Sequence, residues 1–108
     1  MNAYERLLKY VVIRTPSNEE SETTPSSQCQ FDLANVLKKE MEELGICDVT
    51  LTDTCFLYGK IPATPGCENA PAIGFIAHMD TSPDCPGKNV KPKLIENYDG
   101  KEVILNEE

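Results

Sequence analysis

The sequence predicts an α/β layered domain, with two helices packed on a mixed sheet. Three observations carry this expectation. Two early stretches repeat apolar residues at helical spacing, and a pair of short runs rich in β-formers comes after them. Beyond these lies a continuous apolar run, Ala72-Ile73-Gly74-Phe75-Ile76-Ala77, with the composition of a strand buried on both faces of a largely parallel sheet. Helices covering a sheet are the layer arrangement that buries all three.

The first helix is signalled by Asn2 with Glu5 three residues later, a capping box. Tyr4, Leu7, Leu8, Val11 and Val12 then form one apolar stripe, which places the end of the helix near Ile13. Residues 14–26 are rich in Ser, Thr and Glu, contain Pro16 and Pro25, and carry too few apolar side chains to bury themselves, so they read as a surface loop. Ser27 and Gln30 form a second capping box. Phe31, Ala34, Leu37, Met41 and Leu44 line one face of the next helix, and Gly45 offers a left-handed stop.

Val49 and Leu51 alternate with Asp48, Thr50 and Thr52, and a β-rich run continues from Cys55 to Ile61 after the Asp53-Thr54 break. Together they predict a hairpin. Residues 62–71 hold Pro62, Pro65, Gly66 and Pro71 and read as a connector. The apolar run at 72–77 is assigned as the central strand, although a short buried helix has the same composition. Weaker β-like pieces at 93–96 and 102–105 flank the turn residues Asn97-Tyr98-Asp99-Gly100. A central strand needs cover on both faces, and two helices are few for that, so the domain is expected to be unfinished within this sequence.

Composition excludes several function classes. The net charge of -8 comes without any cluster of Lys or Arg, which argues against a nucleic-acid surface. No apolar run approaches the ~20 residues that span a bilayer, and the start lacks a basic segment followed by an apolar one, so a soluble, unexported, cytoplasmic chain is expected. Cys29, Cys47, Cys55, Cys67 and Cys85 are odd in number and form no Cys-x-x-Cys pair. That pattern suits reduced thiols better than a disulfide framework or a zinc ribbon. Cys67 or Cys85 joining His78 in a metal site is the weaker reading, because ligand pairs at close spacing are missing.

The one histidine, His78, comes directly after the apolar run, and open α/β sheets bind ligands at the carboxyl ends of their strands. In an extended segment residues two apart share a side, so Asp80 can hold one imidazole nitrogen of His78 while the other binds a metal. The same spacing also fits a structural histidine paired with a nearby carboxylate.

The stretch Pro71-Ala72-Ile73-Gly74-Phe75-Ile76-Ala77-His78-Met79-Asp80-Thr81-Ser82-Pro83-Asp84, with Gly87-Lys88-Asn89-Val90 and Pro92 after it, closely resembles peptidase T. That family comprises tripeptide aminopeptidases within the two-zinc aminopeptidase and carboxypeptidase superfamily. The resemblance extends to both helices, to Pro25-Ser26, to Leu44-Gly45 and to Glu96-Asn97-Tyr98-Asp99-Gly100, essentially the whole chain. His-x-Asp is shared across the superfamily, whereas the Asp-Thr-Ser-Pro-Asp and Gly-Lys-Asn-Val stretches belong to the peptidase T branch.

The resemblance implies that residues 1–108 are an incomplete, amino-terminal portion of a catalytic domain. It makes His78 a ligand of one of two zinc ions and Asp80 the catalytic-site aspartate that orients it. The family's bridging aspartate, its Glu-Glu pair, a further carboxylate and a second histidine are not in this sequence. Glu107-Glu108 lacks the family's Pro-Asp lead-in and reads as solvated terminal charge. A hydrolytic zinc site needs at least three protein ligands, so the chain alone is expected to be inactive. Small peptides, tripeptides in particular, are the implied substrates. Unpaired strand edges and uncovered apolar surface also point to self-association or marginal stability.

Two other classes fit parts of the sequence. Asp80-Thr81-Ser82 matches the Asp-Thr-Gly/Ser signature of aspartic proteases, in which a homodimer shares a proton between two carboxylates, but His78 and Met79 interrupt the apolar strand expected before it. A non-catalytic binding module, with the polar loop at 15–27 as its recognition segment, has compositional support only.

Overall fold

The computed structural model describes residues 1–104. It is a small α/β arrangement of two helices and a two-stranded antiparallel sheet: α1 (Ala3–Tyr10), α2 (Gln30–Glu43), β1 (Cys47–Leu51) and β2 (Leu57–Lys60). The expected order of helix, helix and hairpin is present.

Asn2 caps α1 as its sequence predicts, with the Glu5 carboxylate accepting a hydrogen bond from the Asn2 backbone nitrogen at 2.6 Å. The helix stops at Tyr10, earlier than the apolar stripe suggests, and Val11 to Ile13 turn away through an Ile13 amide to Tyr10 carbonyl bond of 2.9 Å. No α1 residue is fully buried, and of its larger apolar side chains Leu8 and Tyr10 are half-buried while Tyr4 and Leu7 are exposed, so polar contacts carry much of its attachment. Arg6 and Tyr10, one turn apart on one face, both donate to Oε2 of Glu40 on α2, with the Arg6 Nη1 contact at 2.7 Å.

The second capping box does not form. Cys29 occupies the cap position of α2 in a helical conformation, the Gln30 amide bonds the Ser27 carbonyl, and the Gln30 side chain donates to Ser26 Oγ at 3.3 Å. The chain enters α2 through a preceding turn that already supplies carbonyl acceptors, so a side-chain cap is not needed. The helix ends as expected. Gly45 adopts φ 76°, the Ile46 amide reaches back to the Met41 carbonyl and the Gly45 amide to that of Glu42, which is a Schellman stop.

The buried face of α2 is centred on Leu33 and Ala34, with Leu37 and Met41 half-buried, whereas Leu44 is exposed. It rests on the hairpin, whose strands pair Thr50 with Tyr58 and Leu51 with Leu57. A bulge between Cys47 and Thr50, with Asp48 at φ 54°, shifts the register. The turn is closed by the Thr52 amide to the Phe56 carbonyl and by the Phe56 amide to Thr52 Oγ1, both at 2.9 Å.

The apolar run at 72–77 is not a strand. Ile73, Phe75 and Ile76 are 81%, 95% and 100% exposed. A strand of this composition forms only when neighbours pair with its edges and layers cover its faces, and β1 and β2 pair with each other instead. The sheet is therefore antiparallel rather than mixed, and the parallel element is a single bridge between Pro16 and Thr81. The β-like pieces at 93–96 and 102–104 are likewise irregular; Leu105, Glu107 and Glu108 lie outside the described residues. The turn between them is present, with Asn97 at φ 52° and Gly100 at φ 81°. The radius of gyration, 17.6 Å, exceeds the about 13 Å of a compact chain of this length, because little of the second half packs on the first.

Gly59 on β2 carries a testable consequence. A Cβ there would lie 2.4 Å from Met41 Cε and 2.6 Å from Ile46 Cγ2. In a strand, alanine is ordinarily favoured over glycine by roughly 0.5–1 kcal/mol. Met41 Cε, at the end of a flexible side chain, can shift aside, but Ile46 Cγ2 is branched at Cβ, and crowding against it costs roughly 1–3 kcal/mol. Gly59→Ala should therefore destabilise the chain in urea titrations, and the loss should be smaller in an Ile46→Ala background; a stabilised Gly59→Ala chain would mean that the segment after α2 sits farther from the hairpin.

A second consequence concerns acid. The Tyr10 hydroxyl and then Arg6, by their hydrogen bonds, hold the Glu40 carboxyl below its ordinary range, and burial and Glu40 together raise Tyr10. A lowered folded value stabilises the fold above the unfolded value, about 4.3, and that contribution is lost as the pH falls through the folded value. The difference in melting temperature between the native chain and Glu40→Gln should be largest at neutral pH and vanish in acid; a constant difference would show that the carboxylate's charge is not responsible.

Candidate metal-ligand site

His78 lies at the end of the exposed run, and its Nδ1 is 3.1 Å from Oδ1 of Asp80. An ionised carboxylate only accepts hydrogen bonds, so in the neutral ring this contact places the proton on Nδ1 and leaves the Nε2 lone pair for another partner. The His78 side chain is 84% exposed, which leaves that nitrogen open to solvent. The sequence-derived pairing of these two residues is thus present in the geometry.

The segment is held in place just past Asp80. The Thr81 amide donates to the Thr15 carbonyl at 2.9 Å, and the Thr81 carbonyl accepts from the Ser17 amide at 2.9 Å and from Ser17 Oγ at 3.2 Å. Thr15 is only 3% exposed and Pro16 is buried. The polar loop after α1 is therefore not wholly a surface loop. Its contact with Thr81 was not legible, because the residues lie 64 apart and no apolar signal marks them. Ser82 Oγ donates to Asp84 Oδ2 at 2.8 Å in the next turn. An open cleft of about 320 Å³ lies beside the bridge, lined by Arg14, Ser17, Asn18, Ser27 and Cys85 among others.

A zinc ion accepts a neutral imidazole whose second nitrogen is held by a carboxylate, and His78 with Asp80 presents that donor set. The fit is to one ligand of a site. Among the described residues no three His, Cys, Asp or Glu side chains gather closely enough to hold a metal ion, so neither Cys67 nor Cys85 completes a cluster with His78 there.

No family model matches the chain. Individual proteins do. Peptidase T of Alkaliphilus oremlandii is 48% identical over 108 residues, covering 99% of this chain and 26% of that protein. Peptidase T of Desulfitobacterium hafniense is 54% identical over 104 residues, 96% of this chain and 25% of the relative. Over essentially its whole length, the chain matches peptidase T. Peptidase T of Bacillus licheniformis adds a match of 48% over 103 residues. The chain spans about a quarter of the length of these curated peptidase T relatives.

The five thiols of this peptidase T-like chain are all free. Cys55 is buried, and burial raises its pKa, whereas Cys47, Cys67 and Cys85 are exposed. Thiolate is the reacting form, so iodoacetamide near pH 8 should modify Cys47, Cys67 and Cys85 well before Cys55, as mass spectrometry of digests would show. Equal labelling of Cys55 would indicate that the hairpin turn does not cover it.

Proposed function

We propose that residues 1–108 are the amino-terminal portion of the catalytic domain of a zinc-dependent aminopeptidase that releases the first residue of tripeptides. The observation that carries this reading is the His78–Asp80 contact of 3.1 Å, in a chain similar to peptidase T over nearly all of its length. In it His78 is a ligand of one zinc and Asp80 the catalytic-site aspartate that keeps the imidazole oriented. Zinc in such sites lowers the pKa of bound water and polarises the substrate carbonyl.

What this chain contributes is specific. In the neutral ring the Asp80 carboxylate fixes the His78 proton on Nδ1 and so leaves the Nε2 lone pair to face a metal. A single imidazole binds zinc weakly, so the remaining ligands and the glutamate that moves the proton belong to the rest of the longer protein, and these 108 residues alone are inactive. The cytoplasm is the proposed compartment, consistent with the five free thiols. With Ile73, Phe75 and Ile76 exposed, the isolated chain is proposed to self-associate through that surface.

The aspartic-protease alternative requires Asp80 to face a second carboxylate, and here it faces His78. Tripeptide hydrolysis at neutral pH tests the reading. The 108-residue chain should show no turnover with added zinc or cobalt. The longer protein should show turnover that chelator abolishes and that His78→Ala lowers by at least ~10²-fold, the scale of losing a ligand or its orienter. Chelator-insensitive cleavage with an acid optimum would favour the aspartic alternative, and chelator-sensitive turnover by the short chain would show that it holds a complete site.

A further inference from the structure

We propose that residues 15–17 act as a strap that positions Asp80 against His78, which makes Ser17 a positioning residue of the site. This rests on reading His78 and Asp80 as ligand and orienter.

A planar peptide unit includes the α-carbons of both residues it joins. Holding the Thr81 amide to the Thr15 carbonyl at 2.9 Å therefore fixes the plane that contains the Asp80 α-carbon. The other side of Thr81 is fixed as well, because its carbonyl accepts both the Ser17 amide and Ser17 Oγ. Every backbone polar group of the residue after Asp80 is thus committed to the strap. On the strap's side Thr15 and Pro16 are buried, which fixes the Thr15 carbonyl in the fold, while Thr81 itself is exposed. On the other side of His78 the run at 72–77 is exposed and outside any strand. The strap is accordingly the anchor that reaches the His78–Asp80 pair. Pro16 suits the role: in a parallel bridge the residue between the two bonded positions donates nothing, so its missing N–H costs no hydrogen bond.

The chain has one histidine, so a ¹⁵N-labelled sample gives a single set of imidazole nitrogen signals. These should be recorded at one alkaline pH, the same for every variant. With Asp80 as acceptor the Nδ1–H tautomer should be enriched, and Asp80→Ala supplies the unpaired reference. Ser17→Pro removes the strap's amide donor and should drop the Nδ1–H fraction to that reference. Ser17→Ala, which loses only Oγ, should fall between, and Ser17→Thr should restore the native fraction. A merely structural role for Ser17 would not order the variants in this way.

Two results would overturn the inference. One is an unchanged tautomer fraction in Ser17→Pro although hydrogen exchange shows the Thr81 amide released. The other, should Ser17→Pro lose its helical circular dichroism, is an Ala variant indistinguishable from the Thr variant. Identical ring signals in the native and Asp80→Ala chains would instead remove the His78–Asp80 pair itself, and the strap with it.

Discussion

The ordered part of this molecule depends on how closely α2 can approach the hairpin. Gly59 leaves room for that approach. With no side chain at that position, Met41 and Ile46 lie against the β2 backbone, and the Schellman stop at Gly45 turns the chain directly from helix into strand. The buried apolar residues, Leu33, Ala34 and Cys55, belong to the same layer of helix on strands. A core this small gains little from area, so a close backbone contact has an outsized effect.

Most of the second half of the chain lacks such contacts, and its backbone is irregular as a result. Residues 72–77 have the composition of an interior strand, yet apolar composition only states a preference for burial and supplies no partner. Backbone groups in an extended chain remain solvated until another edge pairs with them, so the run stays irregular and exposed. The relatives, about four times as long by the share of them that is matched, have ample chain from which such an edge could come.

Local signals were readable in the residues, and distant ones were not. The capping box at Asn2 and Glu5, the Gly45 stop and the hairpin at 47–60 each arise from patterns within a few residues, and each is present. The His78–Asp80 contact is of the same kind, two residues apart. What the residues concealed were contacts between distant segments: the Glu40 acceptor for Arg6 and Tyr10, and the bridge from Thr15 and Ser17 to Thr81. The Ser27–Gln30 box failed for a related reason, since the turn entering α2 offers competing acceptors that a four-residue pattern does not describe.

Helix α1 is attached in a way that sets it apart. It buries none of its residues, and its tie to α2 runs through one carboxylate oxygen receiving two donors. A helix held by polar contacts at a partly hydrated surface gains little from the hydrophobic effect, and mobile ions weaken its charged contact. The 15–17 segment follows α1 after one short turn. The amino-terminal helix and the bridge to Thr81 are thus neighbours along the chain, and the polar tie of one lies a few residues from the backbone bonds of the other.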